Sequence, residues 1–351
     1  MLDWLFGLLS HDLGIDLGTA NTLVYVQQKG IMIREPSVVA RHRKTKKIVA
    51  IGREAKRMLG RTPDTIEALR PLKDGVIADF DATAAMLTNY IRLVHQQPRR
   101  RGFPSIPKPK VVVGIPSGVT EVERRAAAEA AIMAGAREVY LIEEPMAAAI
   151  GAGLPIEESR GSFICDIGGG TTEIAVLSLG GIVVNRSIRT AGDEMDDAIV
   201  SFVRLKHSLV IGEPTAEEVK IAIGSAYPIE KMEKQTVVRG RDIETGLPKS
   251  VRLAESEVRE AVSPVVQEII EAIRETIEET PPELIGDIME HGIVLAGGGS
   301  QLGGIDRLIS MELKMPVWIT DDPQTAVVRG CGKLLDDHAL LAKVKIAARK
   351  I

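Results

Sequence analysis

Apolar residues in this chain come in short runs divided by glycine turns, and one arrangement occurs twice. Leu13-Gly14-Ile15 leads into Asp16-Leu17-Gly18-Thr19-Ala20-Asn21, and Thr22-Leu23-Val24-Tyr25-Val26 follows. In the second half Phe163-Ile164-Cys165 leads into Asp166-Ile167-Gly168-Gly169-Gly170-Thr171-Thr172, and Ile174-Ala175-Val176-Leu177 follows. Apolar run, Asp-x-Gly turn, apolar run predicts a β-hairpin with a tight, glycine-permitted loop. The chain is therefore read as two related halves.

Other elements follow from the same patterning. Ile31 to Ala40 and Lys47 to Gly52 read as strands around a basic turn, with a short helix over Arg53 to Leu59. Asp81 is placed as the cap of a helix reaching His95. Val111 to Pro116 reads as a buried strand. Thr120 and Glu123 form a capping box for a helix from Glu121 to Ala134 that ends at Gly135. After a strand at Val139 to Ile142, Pro145 fits the first helical position, which makes Glu144 the N-cap. Thr215 with Glu218 reads as a second capping box, and Lys234 to Leu253 as strands turning at Gly240 and Gly246. Glu255 to Glu279 has apolar residues at helical spacing; Pro264 marks a break or kink and Pro281-Pro282 a stop. Ile293 to Ala296 is a strand running into Gly297-Gly298-Gly299, and Leu334 to Ile351 reads as a helix with a basic face.

Composition narrows the class. The 351 residues suffice for two cores, and 45% hydrophobic with 26% charged residues is ordinary for a globular chain. Aromatics are only 3%, so the core must be built from Ile, Val, Leu and Ala, as in sheets flanked by helices. A net charge of −4 argues against a general nucleic-acid binder. The two cysteines, Cys165 and Cys331, give no disulfide framework, and Cys165 reads as core filler. No run reaches the roughly 18 apolar residues of a membrane span. The N-terminal segment is too short for a signal peptide. As a helix it presents Leu2, Leu5, Phe6, Leu8 and Leu9, with Trp4 at the edge; it either docks on the protein's own surface or lies in a bilayer interface. The loop Gln96 to Pro107 joins Arg99-Arg100-Arg101 to Phe103 and Ile106, and is either a solvated connector or a contact with anionic lipid.

The glycine turns carry the chemistry. Their backbone N–H groups can converge on an anion, and the hydroxyls of Thr19, Thr171 and Thr172 add donors. A carboxylate would repel phosphate directly, so Asp16 and Asp166 suit a hydrated Mg²⁺ beside it. Two such loops, one per half, imply a clamp on a polyphosphate, with Gly297 to Gly299 on the adenosine side. Glu144 lies at a strand end, where α/β sheets place ligands; it is either a cap or a group that orients water, and Glu143 is its rival.

Together the two hairpins, the third glycine turn and an insertion in each half resemble the actin, Hsp70 and sugar-kinase superfamily. Within it, Ile15 to Val24, Arg70 to Asp79, Ile142 to Gly151, Asp166 to Glu173 and Ala191 to Asp196 resemble the MreB-like bacterial actins over about residues 12–340. The resemblance implies an α/β fold, a duplicated ribonuclease-H-like actin fold around a nucleotide cleft. It implies a membrane anchor over 1–10, subdomain IA over 11–32, 71–146 and 322–351, IB over 33–70, IIA over 147–184 and 253–321, and IIB over 185–252. ATP would be bound with Mg²⁺ and slowly hydrolysed, with Asp16 and Asp166 supporting the metal through water. Gly18, Thr19, Ala20 and Asn21 would hold phosphates with Gly168, Gly169, Gly170 and Thr171, while Glu144 orients water assisted by Thr171. Gly192, the run Ala216, Glu217, Glu218, Val219 and Lys220, and Ala296 with Gly297, Gly298 and Gly299 would complete the nucleotide site. Expected partners are further copies of the chain in double protofilaments, the inner face of the cytoplasmic membrane through Trp4, Leu5, Phe6, Leu8, Leu9, Phe103 and Ile106, and membrane proteins of cell shape and wall synthesis; nucleic acid is not expected.

Three other readings are weighed. An Hsp70-like chaperone would need a peptide-binding domain beyond the ATPase. A sugar kinase would need a carboxylate base and a sugar pocket, for which no candidate stands out. A non-polymerising ATP-dependent scaffold or switch would share the cleft and differ only in its surfaces.

Overall fold

The computed structural model describes residues 10–95, 108–229 and 232–350. Both predicted hairpins form, each as the first two strands of a three-stranded antiparallel meander. The first sheet runs Ala347–Lys350, Glu138–Glu143, Lys110–Ile115, Leu13–Leu17, Asn21–Val26, Gly30–Pro36. The second runs Gly181–Ile188, Thr172–Ser178, Ser162–Ile167, Ile293–Ala296, Val317–Ile319. In each, the Asp-bearing strand pairs in parallel with a later strand, which pairs in parallel with another. This places the C-terminal ends of several strands, and the Asp-Gly loops, along one edge, where α/β sheets take ligands.

Each sheet buries its own apolar cluster against helices. Met86, Leu87 and Tyr90 from the Phe80–His95 helix pack with Ile15, Val24 and Val113 of the first sheet. Ile269, Ile270 and Ile273 from the Glu255–Glu279 helix pack with Phe163, Ile174 and Val176 of the second. A third cluster lies between them, formed by the Glu144–Ala152 and Ala326–Asp336 helices with Val112, Ile164 and Leu177. There the two helices cross at backbone contact. A Cβ at Gly151 would collide with the Ala326 carbonyl oxygen, and one at Gly330 with that of Ala147. Cys165 and Cys331 are fully buried, and burial pushes both thiols up, away from the reactive thiolate. Three small sheets follow among the described residues: Val39–His42 between Ile48–Ile51 and Ile66–Leu69, Gln235–Asp242 between Pro248–Ala254 and Leu209–Val210, and the pair Leu72–Lys73 with Val76–Ile77.

Several local expectations are corrected. Ile31 to Ala40 is two strands of different sheets: the Ser37 N–H extends the first ladder to the Ala20 carbonyl, and the chain then breaks away where the Val38 N–H turns back to the Pro36 carbonyl. The expected Arg53 helix is a single turn, Arg53–Lys56. Asp79, not Asp81, caps the next helix, accepting from the Ala82 N–H at 3.0 Å. Glu143 holds the N-cap position before Pro145, so Glu144 is the first helical residue; proline is tolerated anywhere in a turn whose N–H groups have no intrahelical acceptor. The helix at 213–223 starts after Gly212 with Pro214 in its first turn, which puts Thr215 and Glu218 inside it rather than at a capping box. Gly240 lies within a strand, where a Cβ would meet the Val210 carbonyl; only Gly246, with φ of +73°, turns. Glu255–Glu279 continues through Pro264 without a break. A helix at Pro282–His291 was not anticipated. The expected C-terminal helix is replaced by Ala326–Asp336, His338–Val344 and an edge strand, Ala347–Lys350, paired with Glu138–Leu141. The capping box of Thr120 and Glu123 forms as expected.

The expected membrane contacts at Trp4, Leu5, Phe6, Leu8, Leu9, Phe103 and Ile106 lie outside the described residues. Among the described residues no helix is long and apolar enough to cross a membrane.

Candidate active-site cleft

Both glycine hairpin loops open into one cleft of about 520 Å³ between the two sheets. Gly18, Thr19, Ala20 and Asn21 line it from one side, Gly168, Gly169, Gly170 and Thr171 from the other, and Gly297, Gly298 and Gly299 further along. The first loop is fixed from outside itself. Ser37 Oγ donates to the Gly18 carbonyl at 2.6 Å, and Thr19 Oγ1 accepts from the Gly75 N–H at 2.9 Å. The second is fixed by its own turn and by the next helix: Gly168 N–H donates to the Thr171 carbonyl, and Gly192 and Asp193 donate to the carbonyls of Gly168 and Gly169. The two loops also touch. A Cβ on Gly169 would lie 2.7 Å from Ala20 Cβ, and one on Gly170 2.8 Å from Thr19 Oγ1. Glycine at these two positions is demanded by the opposite loop, since neither has a positive φ. Gly297 differs: its φ is +81° and a Cβ would strike the Ile167 carbonyl.

Four carboxylates gather at the cleft floor. Asp16, Glu144 and Asp166 line it. Glu173, directly opposite Asp166 in the hairpin register, lies behind them. Burial raises the Asp16 carboxyl to about 7. Burial also holds Asp166 well above the usual carboxylate range, with the charges of Asp16 and Glu173 adding to it. Glu144 is raised by burial and then by Glu173, Asp16 and Asp166. The charges that raise Glu144 and Asp166 are thus all those of other acids, which is the condition a cation relieves. No three His, Cys, Asp or Glu side chains among the described residues converge closely enough to ligate an ion directly. The floor therefore fits a Mg²⁺ ion held through water, as this metal commonly is.

The helix Glu213–Ile223 turns one face to the cleft, presenting Glu217, Lys220 and Ile221 at the i, i+3, i+4 spacing, with Gly224 lining it just past the helix end. Of the expected run, Ala216 and Val219 instead face the core and Glu218 faces solvent, because one helical face cannot present five successive residues. Ala296, the last residue of its strand, is fully buried behind the glycine turn and does not line the cleft. Gly192 does line it, and its carbonyl accepts from Lys220 Nζ at 2.6 Å. Lys220 also pairs with Asp196 at 2.9 Å. Across the mouth, Lys56 pairs with Glu217 at 2.7 Å and Arg70 with Glu213 at 2.5 Å. Glu144 lines the cleft while Glu143 does not.

Sequence reading missed Glu173, Asp193, Asp196, Arg34 and Arg53 around this cleft. An acid interrupting the apolar run after Thr172 was the available signal for Glu173. The arginines are brought in by tertiary folding and had none.

A model of the MreB/Mbl protein family matches residues 10–343. The cell shape-determining protein MreB of Escherichia coli is 51% identical over 340 residues, covering 96% of each chain. The cell shape-determining protein Mbl of Bacillus subtilis is 45% identical over 340 residues, covering 97% of this chain and all of that one. Among solved structures, MreB5 of Spiroplasma citri bound to ADP superposes with a TM-score of 0.87 at 38% identity, over 94% of this chain and 97% of that one. The MamK double helical filament, at 23% identity and a TM-score of 0.77, shows likeness of fold. The chain belongs to the MreB/Mbl family and has its actin-like fold.

Proposed function

We propose that this protein is an ATP-dependent, actin-like cytoskeletal protein that assembles into double filaments on the inner face of the cytoplasmic membrane and organises wall synthesis to maintain rod shape. The observation that carries the reading is the cleft: two glycine loops in contact above carboxylates whose charges raise one another. Related proteins support it, since MreB5 structures hold ADP and AMPPNP, MamK forms a double helical filament, and the MreB and Mbl relatives are cell shape-determining.

In this reading the backbone N–H groups of Gly18 to Asn21 and Gly168 to Thr171 bind phosphates from opposite sides. Glu217, Lys220 and Gly297 to Gly299 flank the nucleoside. Asp16 and Asp166 hold Mg²⁺ through water, and the ion supplies positive charge beside the phosphates. Glu144 orients a water assisted by Thr171, and hydrolysis proceeds slowly by positioning, with no covalent intermediate. The subdomain division expected from the sequence belongs to this reading, with the small sheets built on Val39–His42 and Gln235–Asp242 as its two outer walls. Membrane contact is assigned to the segment 1–10 and the Phe103 loop, and shape and wall-synthesis membrane proteins are the further partners.

Electron microscopy with Mg²⁺-ATP and anionic liposomes tests the whole reading, alongside protein lacking residues 1–10. Double filaments on lipid, detached by the truncation, are expected. Nucleotide binding without filaments under any condition would leave only an ATP-dependent switch.

A further inference from the structure

Glu173 lies almost entirely out of solvent, two residues after Thr171. It pairs with Asp166 on one side of its strand and with Ser187 on the other. One carboxylate oxygen accepts from Ser187 Oγ at 2.6 Å and the other from the backbone N–H of Ser117 at 3.1 Å. Ser117 belongs to the other half of the molecule. It follows the Lys110–Ile115 strand, whose Gly114 and Ile115 pair with Ile142 and Glu143, the two residues before Glu144. One side chain thus ties the loop that presents Thr171 to the strand end that flanks Glu144.

The same junction is closely packed. A Cβ on Gly118 would lie 3.4 Å from Ser187 Cβ, and one on Gly75 would lie 2.5 Å from Pro116 Cγ and 3.1 Å from Thr171 Cγ2. A buried acid is costly beside other acids, and the fold has a cheaper solution. In the first hairpin the residue opposite Asp16 is Leu23. A leucine at the matching place in the second hairpin would keep the core and lose the tie.

We propose that Glu173 is a positioning residue for hydrolysis, setting the separation of Glu144 on one half from Thr171 on the other through Ser117 and Ser187. The inference rests on the ATPase reading above. Nucleotide is held by the glycine backbones, which Glu173 does not touch, so its removal affects turnover and spares affinity.

The test compares full-length Glu173→Ala, Glu173→Gln and Ser187→Ala by phosphate release at saturating Mg²⁺-ATP and by titration with a fluorescent ADP. Glu173→Ala is expected to slow release on the order of tenfold or more, with ADP affinity within about twofold of the parent. Glu173→Gln keeps a carbonyl oxygen for one of the two donors and restores most of the rate; Ser187→Ala gives a smaller fall with affinity intact. If Glu173→Ala does not fold, the Ser187→Ala and Glu173→Gln results decide. An unchanged rate in Glu173→Ala, a parallel loss of affinity and rate, an unaffected Ser187→Ala, or a glutamine variant as slow as the alanine one overturns the proposal. A parent protein that neither binds ADP nor releases phosphate overturns the ATPase reading instead.

Discussion

The two hairpins share a strand plan and an Asp in the same register, yet they are held and used differently. Asp16 pairs with Gly114 and Leu23, Asp166 with Ala296 and Glu173. The first loop keeps side chains at Thr19, Ala20 and Asn21 and is braced by Ser37 and Gly75. The second gives up side chains at 168–170, closes on itself, and lets the first loop rest against it. Duplication has preserved the acid and divided the remaining tasks. One copy supplies bulk and bracing; the other supplies a bare backbone and a second buried carboxylate.

Glu144→Ala breaks the comparison most strongly, since in the proposed mechanism it removes the first half's contribution to water orientation. Phosphate release should fall about a hundredfold while ADP titration stays near the parent; normal release with normal assembly would remove Glu144 from the mechanism. Gly170→Ala attacks the contact between loops, driving a methyl against Thr19 Oγ1 and the Asp74 backbone. Overpacking of this kind costs about 1–3 kcal/mol, to be read as a lowered melting temperature together with weaker ADP binding, and an unaffected variant would show that the loops part easily.

The acids sharpen the comparison through pH. Asp16 is raised from its ordinary 3.8 to about 7, so the stability it contributes is full below 3.8 and is lost as pH rises through about 7. Without nucleotide or Mg²⁺, Asp16→Asn should therefore melt above the parent at pH 8, and the gap should close near pH 4. Asp166→Asn should shift in the same direction, because Asp166 is also raised by burial. With Mg²⁺ and ATP present both variants should bind nucleotide more weakly than the parent. A pH-independent gap would mean that the burial of these acids is relieved in another way. The smallest effect belongs to the cleft mouth: Lys56→Ala removes a partly exposed ion pair and should change stability by no more than about 1 kcal/mol, less still in high salt.

Most of the strand plan was legible in the sequence, because apolar runs flanking Asp-Gly turns carry their own register. The Thr120 capping box was equally readable, since all its partners lie within four residues. What misled was punctuation by proline. Pro145 fits a first turn at more than one position and Pro264 is absorbed within a helix, so local rules misplaced one helix start and one break; the Thr215 and Glu218 spacing likewise imitates a capping box inside a helix that starts at Glu213. The cleft's glycines were found for a partly different reason from the one the structure gives. Backbone freedom suits Gly297, but Gly169 and Gly170 answer to residues about 150 positions away, which no local pattern can encode. Ala347–Lys350 likewise joins a sheet edge through long-range pairing, and its basic, alanine-containing sequence reads as helix in isolation.

The crossing of the Glu144–Ala152 and Ala326–Asp336 helices has a mechanical consequence. Main chain rests on main chain at Gly151 and Gly330, and the apolar side chains of both helices close around that contact. The crossing is therefore a seam without slack, in which backbone sets the distance between the helices and side chains fill what surrounds it. A single added methyl at either glycine would wedge the joint itself.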